Sequence, residues 1–197
     1  MPTLGRCLNM THKNIDLENH EIEMRAVLAD EQYSYLKIEL PKIMHLLKHD
    51  NFTTYKFVSE NNSIMIRYSD SYAEMVVKEG VVTTVTRKES TINFSSKDDA
   101  LKMVELLRQL SIHEEPHWFT DKTEFSYEYL GYDYTASLQD IERFAKILEV
   151  EHLGNRDEEE LHIRNIKEIF AKFDITPVPA KEFKEMVKKY IIEHEKK

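Results

Sequence analysis

Apolar and polar residues alternate with a period of two through much of the chain, which is typical of β-strands with one buried and one polar face. The first such segment is HEIEMRAVL, which begins after Asn19 and places Glu21, Glu23 and Arg25 on one face. Similar runs occupy 53–59, 63–69, 72–79, 81–94, 117–130, 132–139 and 145–153. The pattern therefore predicts eight strands.

Helical spacing of apolar residues separates and follows these strands. Asp30 is expected to cap a first helix, which Pro41 restarts as KIMHLLKHD, because proline is tolerated in a first helical turn. Ser96, followed by two aspartates, predicts the cap of a second helix. Two more helices are expected at 157–173 and 180–195. This segregation of strands and helices favours the α+β class with an antiparallel sheet.

Eight antiparallel strands are enough to close into a β-barrel, and closure removes the exposed sheet edges. We therefore expect a flexible leader at 1–18 and a single domain at 19–197. The barrel is expected at about 19–153, and the C-terminal helices at about 157–195.

Composition restricts the class of partner. With 36 acidic and 27 basic residues, the chain of 197 residues has a formal net charge of −9. A nucleic-acid surface is not expected, because it needs dense positive charge. No apolar run reaches the length of a transmembrane helix, so no membrane partner is expected. The single cysteine, Cys7, permits no intramolecular disulfide and fits a reducing compartment, so we expect a cytoplasmic location. The oligomeric state stays open.

Charged residues follow the polar strand faces in an ordered way, with a Glu-x-Glu pair on the first and last long strands and cations between. They are Glu21, Glu23, Arg25, Arg67, Lys78, Arg87, Glu89, Lys122, Glu149 and Glu151. An open sheet face in water would explain such charges by solubility alone. A closed barrel, in contrast, must pair its interior charges or bind ions. Carboxylates bind hard cations such as Mg²⁺, and Arg and Lys bind phosphate oxygens, so the mixture indicates a metal–polyphosphate site.

The same strands resemble the CYTH superfamily, also called triphosphate tunnel metalloenzymes. EIEMR resembles the ExExK signature that opens the family, and IMIR is similar to its LRIR strand. EMVVK resembles the strand that ends in a lysine, TRKES resembles the RxE strand, and ILEVE resembles the terminal ExE. The match runs from about Glu21 to Glu151. It implies an eight-stranded antiparallel tunnel with helices packed outside and two C-terminal helices.

The resemblance also implies a cofactor, a substrate and the residues that bind them. Mg²⁺ or Mn²⁺ would be held by Glu21, Glu23, Glu149 and Glu151. A small triphosphate substrate would be bound by Arg25, Arg67, Lys78, Arg87 and Lys122. Glu89 would support the metal or orient a water, so Arg25 and Glu89 are the candidate catalytic residues.

Three activities remain open on this basis. The first is divalent-metal-dependent hydrolysis of inorganic tripolyphosphate, thiamine triphosphate or a nucleoside triphosphate. The second is a class IV adenylate cyclase, which makes cyclic AMP from ATP, and the third is non-catalytic triphosphate binding. Five aromatic residues are candidates to stack a nucleobase, although packing is the commoner role of aromatics in strands: Trp118, Phe119, Phe125, Tyr127 and Tyr129.

The chain departs from the family pattern at three positions. Arg25 replaces the lysine of ExExK, Gln139 stands where an aspartate is usual, and Ala145 replaces a glycine. A guanidinium does not deprotonate near neutral pH, so Arg25 cannot activate water as a lysine can. If this is what limits turnover, Arg25→Lys should weaken substrate binding but raise the maximal rate, with an alkaline optimum. If Arg25 only clamps phosphate, the same change should weaken binding alone.

Overall fold

A computed structural model describes residues 20–59, 62–79 and 86–194, except for the side chains of Thr86, Arg87 and Arg156. The predicted leader lies outside the described residues, as do positions 81–85 of the predicted fifth strand. The strands are β1 (His20–Leu28), β2 (His45–Val58), β3 (Asn62–Tyr68), β4 (Ala73–Glu79), β5 (Thr86–Asn93), β6 (His113–Tyr129), β7 (Tyr132–Ile141) and β8 (Ala145–Gly154). The helices are α1 (Asp30–Ile43), α2 (Lys97–Gln109), α3 (Glu159–Ala171) and α4 (Ala180–His194), and a 3₁₀ turn (Arg156–Glu158) precedes α3.

All eight strands are antiparallel and close into a ring in the order β1-β5-β4-β3-β2-β6-β7-β8. Closure occurs between the first and last strands, where pairing runs from His20 opposite Gly154 to Leu28 opposite Lys146. The predicted α+β class and the closed eight-stranded tunnel are therefore confirmed. In this order β2 and β3 lie half-way round the ring from β1 and β8, so these two strand pairs form opposite walls.

Helices α1, α2 and α3 cover the outside of the tunnel, where the strands are apolar. One core joins α1 and α3 to β1, β6, β7 and β8 through buried residues that include Ile22, Leu36, Leu40, Ile166 and Phe170. A second core packs α2 on β2 and β3 through residues that include Phe57, Ile66, Ala100 and Val104. Because the outward faces are used for packing, the alternate polar residues of each strand point into the tunnel. None of the described helices combines the length and apolar character needed to cross a membrane.

The predicted restart of the first helix at Pro41 is wrong. Helix α1 runs through Pro41 and ends at Ile43, and the segment HLLKHD is the first part of β2. This segment pairs with β6, with Asp50 opposite Lys122, so inter-strand hydrogen bonding prevails over the local helical pattern. Its Leu46 and Leu47 are half exposed and form no helical core face.

The helix caps agree only in part with the sequence-based expectation. The cap of α1 is Ala29, whose backbone N–H donates to the side chain of Gln32 at 3.0 Å, and Asp30 is the first helical residue. The predicted cap of α2 is confirmed, because Ser96 Oγ accepts a hydrogen bond from the backbone N–H of Asp99 at 3.2 Å.

Candidate functional site

The tunnel encloses a cavity of about 320 Å³. Among the described side chains, seven carboxylates and six cations line it: Glu21, Glu74, Glu89, Glu115, Glu124, Glu149 and Glu151, with Arg25, Lys48, Lys56, Arg67, Lys78 and Lys122. Charges of both signs are therefore concentrated in an enclosed space, while the outer strand faces carry the apolar cores.

Three carboxylates meet on the wall formed by β1 and β8. Glu21, Glu23 and Glu151 each offer one oxygen, and these oxygens lie within 4.8 Å of one another. Pairing of β1 with β8 causes this, since it sets Glu23 directly opposite Glu151. Burial, reinforced by the neighbouring carboxylates, raises the pKa of Glu21 well above its usual value and also raises the pKa of Glu151. Simultaneous ionisation of all three carboxyl groups is therefore unfavourable without a cation. Their oxygen donors suit Mg²⁺ or Mn²⁺.

Glu149, the fourth predicted metal ligand, has different partners. Its carboxylate lies 2.6 Å from Nε of Arg25, and it accepts hydrogen bonds from Gln139 Nε2 at 3.1 Å and Ser137 Oγ at 3.4 Å. Burial would raise the pKa of Glu149, but Arg25, Lys122 and Lys78 together outweigh burial and hold the pKa below its usual value. Gln139, which replaces the usual aspartate, thus acts as a donor to a carboxylate that is already ionised.

Two predicted phosphate-binding cations are paired with carboxylates of the β1–β8 wall. Lys78 Nζ donates to Glu21 at 2.7 Å and lies 2.9 Å from Glu89 and 3.7 Å from Glu23. Arg25 joins Glu23 to Glu149. These two side chains therefore neutralise the carboxylates that a metal ion would otherwise neutralise.

Two further predicted cations lie across the tunnel, one on β3 of the opposite wall and one on β6, which is next to that wall. Arg67 pairs with Glu74 at 3.3 Å, and Lys122 pairs with Glu124 at 2.6 Å. Burial would lower the pKa of both cations, but the surrounding carboxylates outweigh burial and raise it. Both side chains therefore remain charged and available to an anionic ligand.

Two cations that line the charged tunnel, Lys48 and Lys56, were not predicted from the sequence. Lys48 lies 3.2 Å from Glu124, and Lys56 lies 2.6 Å from Glu115. Lys48 was not predicted to face the tunnel because its segment was assigned to a helix. Lys56 could have been predicted from the sequence, because it shares a strand face with Thr54 in the alternating segment TTYKFV.

Arg87 remains a prediction. Its backbone lies in β5 directly opposite Glu21, and its side chain falls outside what the structure describes.

One end of the cavity is apolar. Ile141, Phe144 and Ile147 of the tunnel meet four residues of α4, namely Phe183, Val187, Tyr190 and Ile191. The Phe144 ring contacts the rings of Phe183 and Tyr190, with centroids 5.9 and 5.3 Å apart. Of the five aromatic candidates, Trp118 lines the cavity, whereas Phe125 is buried in the outer core. Tyr127 and Tyr129 pack against that same core, and Phe119 is largely exposed.

Comparison with known proteins identifies the fold. No family model matches the chain, and no curated protein matches it. A conserved hypothetical protein from Pyrococcus furiosus superposes with a TM-score of 0.64 at 14% identity, over 81% of this chain and 95% of that one. A candidate adenylate cyclase from Vibrio parahaemolyticus gives 0.62 at 11% identity, over 81% and 91%. One from Bacillus halodurans gives 0.51 at 16% identity, over 81% and 92%. The chain thus shares the fold of these proteins, including two candidate cyclases.

Proposed function

We propose that this protein is a divalent-metal-dependent enzyme of the CYTH superfamily that hydrolyses triphosphate compounds. The observation that supports this most strongly is the arrangement of charges inside the closed tunnel. A three-carboxylate cluster lies on one wall, and Arg67 lies on the wall opposite, with Lys122 on the neighbouring strand. A triphosphate together with a divalent cation complements both surfaces at once.

The metal would be held by Glu21, Glu23 and Glu151. Their donor set fits Mg²⁺ or Mn²⁺. The raised pKa of Glu21 and of Glu151 reflects burial first and then the neighbouring carboxylates, whose negative charge a cation would offset. When bound, the metal neutralises phosphate oxygens and polarises the phosphorus centre.

The side chains would then position the substrate, which is the main task in phosphoryl transfer. Lys78 and Arg25 contact the carboxylates of the cluster, and from these positions they would donate to phosphate oxygens of a bound substrate. Glu89 lies beside Lys78 at 2.9 Å and is partly exposed to the cavity, so it is the residue we assign to orient the attacking water. Water attacks the terminal phosphorus, and the anhydride oxygen leaves with the remaining diphosphate.

The apolar end of the cavity favours an organic triphosphate over inorganic tripolyphosphate. Trp118 and the Phe144–Phe183 contact supply apolar surface that a bare phosphate chain cannot use. A thiamine or nucleoside moiety would bury apolar area there, while its phosphates occupy the charged part of the tunnel.

Adenylate cyclase activity is the second candidate. It is favoured by the fold shared with two candidate cyclases and by Trp118, which offers an aromatic surface to a base. In that reaction the 3′-hydroxyl of ATP attacks the α-phosphorus and pyrophosphate leaves.

One set of incubations, with product analysis, distinguishes these functions. ATP, thiamine triphosphate and tripolyphosphate are each incubated with Mg²⁺ or Mn²⁺, and phosphate, pyrophosphate and cyclic AMP are measured. Hydrolysis predicts phosphate with no cyclic AMP, and a cyclase predicts cyclic AMP and pyrophosphate in equal amounts. Tight binding without any product would identify a binding protein.

Variants link the activity to the cluster. Glu21→Gln and Glu23→Gln each remove a charge but little volume, so we expect metal-dependent activity to fall at least about 100-fold with the fold intact. Glu115→Gln, a matched change in the same cavity but outside the cluster, should stay within about threefold of wild type. Wild-type turnover and metal dependence in either cluster variant would contradict the metal assignment.

A further inference from the structure

Two polar atoms that face each other across β2 and β3 lack hydrogen-bond partners. Thr54 is only 1% exposed, and its Oγ1 has no partner among the described residues. Nε of Arg67 is likewise buried without a partner in the described part of the chain. The two residues are directly opposite in the β2–β3 register, and both line the tunnel cavity.

Such atoms cost stability unless something binds them, because a buried donor that loses water gains nothing in return. The rest of the Arg67 guanidinium is only loosely held. Its NH1 lies 3.3 Å from Glu74, and its NH2 contacts the sulfur of Met65 at 3.6 Å. The guanidinium therefore keeps donor capacity that the protein itself does not use.

The chemistry of these donors identifies the ligand. A threonine hydroxyl and a guanidinium N–H both donate, and one of them carries a positive charge, so the matching group is an anionic oxygen acceptor. Residues opposite each other on one face of an antiparallel pair have Cβ atoms about 5 Å apart, which allows both to reach the oxygens of one tetrahedral group.

We infer that Thr54 and Arg67 together bind one phosphate group of the substrate, on the wall facing the carboxylate cluster. Because β2 and β3 lie half-way round the ring from β1 and β8, this phosphate is held from the side opposite the metal. The inference rests on the proposed function in that it takes the ligand to be a triphosphate, and it adds Thr54 as a binding residue.

The test is a calorimetric titration with a non-hydrolysable bis-methylene analogue of tripolyphosphate in the presence of Mg²⁺. Thr54→Val keeps the shape of the side chain and removes the hydroxyl. We expect it to raise the dissociation constant of the analogue about tenfold, which corresponds to the loss of one hydrogen bond to a charged group. The same change should leave the ligand-free melting temperature equal or raise it by about 2 °C, because an unsatisfied buried hydroxyl is removed.

Controls separate this role from a general effect on the cavity. Thr54→Ser, which keeps the hydroxyl, should bind within about twofold of wild type. Thr120→Val removes another cavity hydroxyl that is 1% exposed but is not one of the orphaned atoms, and it should also stay within about twofold. Arg67→Lys keeps the charge and removes Nε. If both groups bind one phosphate, the double variant Thr54→Val/Arg67→Lys should lose less affinity than the two single losses combined.

The outcomes are distinguishable. Unchanged affinity in Thr54→Val, with wild-type binding intact, would overturn the inference and leave the proposed function standing. A wild-type protein that binds no analogue, with or without Mg²⁺, would overturn both. If valine lowers the melting temperature, Thr54→Ala replaces it under the same expectation, and unchanged affinity there would be equally decisive.

Discussion

At the scale of single residues, Arg25 illustrates how the tunnel fixes the role of a side chain. Burial by itself would lower the pKa of Arg25, but Glu149 and Glu23 outweigh burial and raise it. A lysine placed between the same two carboxylates would also be held protonated. The expectation that Arg25→Lys supplies a base therefore loses its physical support, and the clamp role is favoured.

We accordingly expect Arg25→Lys to raise KM about tenfold without raising kcat, because an ammonium offers a phosphate group a single point charge in place of the bidentate guanidinium. The measurement is a set of pH–rate profiles for the wild type and the variant. Lys56→Arg, a cation exchange elsewhere in the cavity, should leave the profile unchanged. A higher kcat with an alkaline optimum in Arg25→Lys would restore the water-activation role of this position.

His162 predicts a specific loss of stability in acid. It is a fully buried residue of α3 that stacks on His152 with ring centroids 3.7 Å apart, and its Nδ1 contacts the hydroxyl of Tyr134 at 2.9 Å. Burial and His152 lower its pKa below the usual 6.5, although Glu158 acts in the opposite direction. Between the two values the unfolded chain binds a proton that the folded protein excludes. The free energy of unfolding should therefore fall as the pH drops below about 6.5 and through the lowered pKa.

The melting temperature of His162→Phe should depend less on pH between pH 7 and pH 5 than that of the wild type, whatever the absolute stability of the variant. Exposed His45 serves as the control, and His45→Gln should keep the wild-type slope. An equal slope in His162→Phe would show that the acid sensitivity arises elsewhere.

At the scale of elements, the alternation of polar and apolar residues predicts some strands and fails for others. The inward faces of β1 and β8 were predictable, because Glu21, Glu23, Glu149 and Glu151 alternate with apolar residues. The first part of β2 was not, since KIMHLL carries helical spacing and only the distant strand β6 supplies its hydrogen-bond partners. For the same reason the pairing of Lys48 with Glu124 could not be predicted locally. The orphaned hydroxyl of Thr54 also depends on closure of the ring, which sequence spacing does not encode.

Helix α4 provides a test of the substrate class. It contributes Phe183 to the apolar end of the cavity, where the ring contacts Phe144, and α4 has no fully buried residue of its own. Phe183→Ala should therefore raise KM for organic triphosphates severalfold more than KM for tripolyphosphate, which the change affects only through the contact of the Phe183 ring with the Arg25 guanidinium at 5.4 Å. Steady-state kinetics on thiamine triphosphate, ATP and tripolyphosphate measure this. Equal changes for all three substrates would contradict an organic subsite, and Ile192→Ala on the exposed side of α4 is the control.

At the scale of the whole molecule, the charge balance disfavours binding of a polyanion without an accompanying cation. The chain carries a formal net charge of −9, which repels a polyanion at a distance. Within the cavity, the described lining has seven carboxylates against six cations, and its cations are already paired. A triphosphate alone would therefore add negative charge to an enclosed site with no surplus positive charge. Under the proposed function, the metal and the triphosphate would therefore bind together, and Lys78 and Arg25 would exchange their carboxylate partners for phosphate oxygens.

The most direct measurement of this central claim is a calorimetric titration of the wild type with the bis-methylene analogue, once with Mg²⁺ and once with EDTA. We predict that the wild type binds the analogue at least about 100-fold more tightly with Mg²⁺ than in EDTA. The affinity of Glu21→Gln with Mg²⁺ should fall toward the value in EDTA. Equally tight binding of the analogue in EDTA and in Mg²⁺ would contradict the claim that the carboxylate cluster and the triphosphate share a metal.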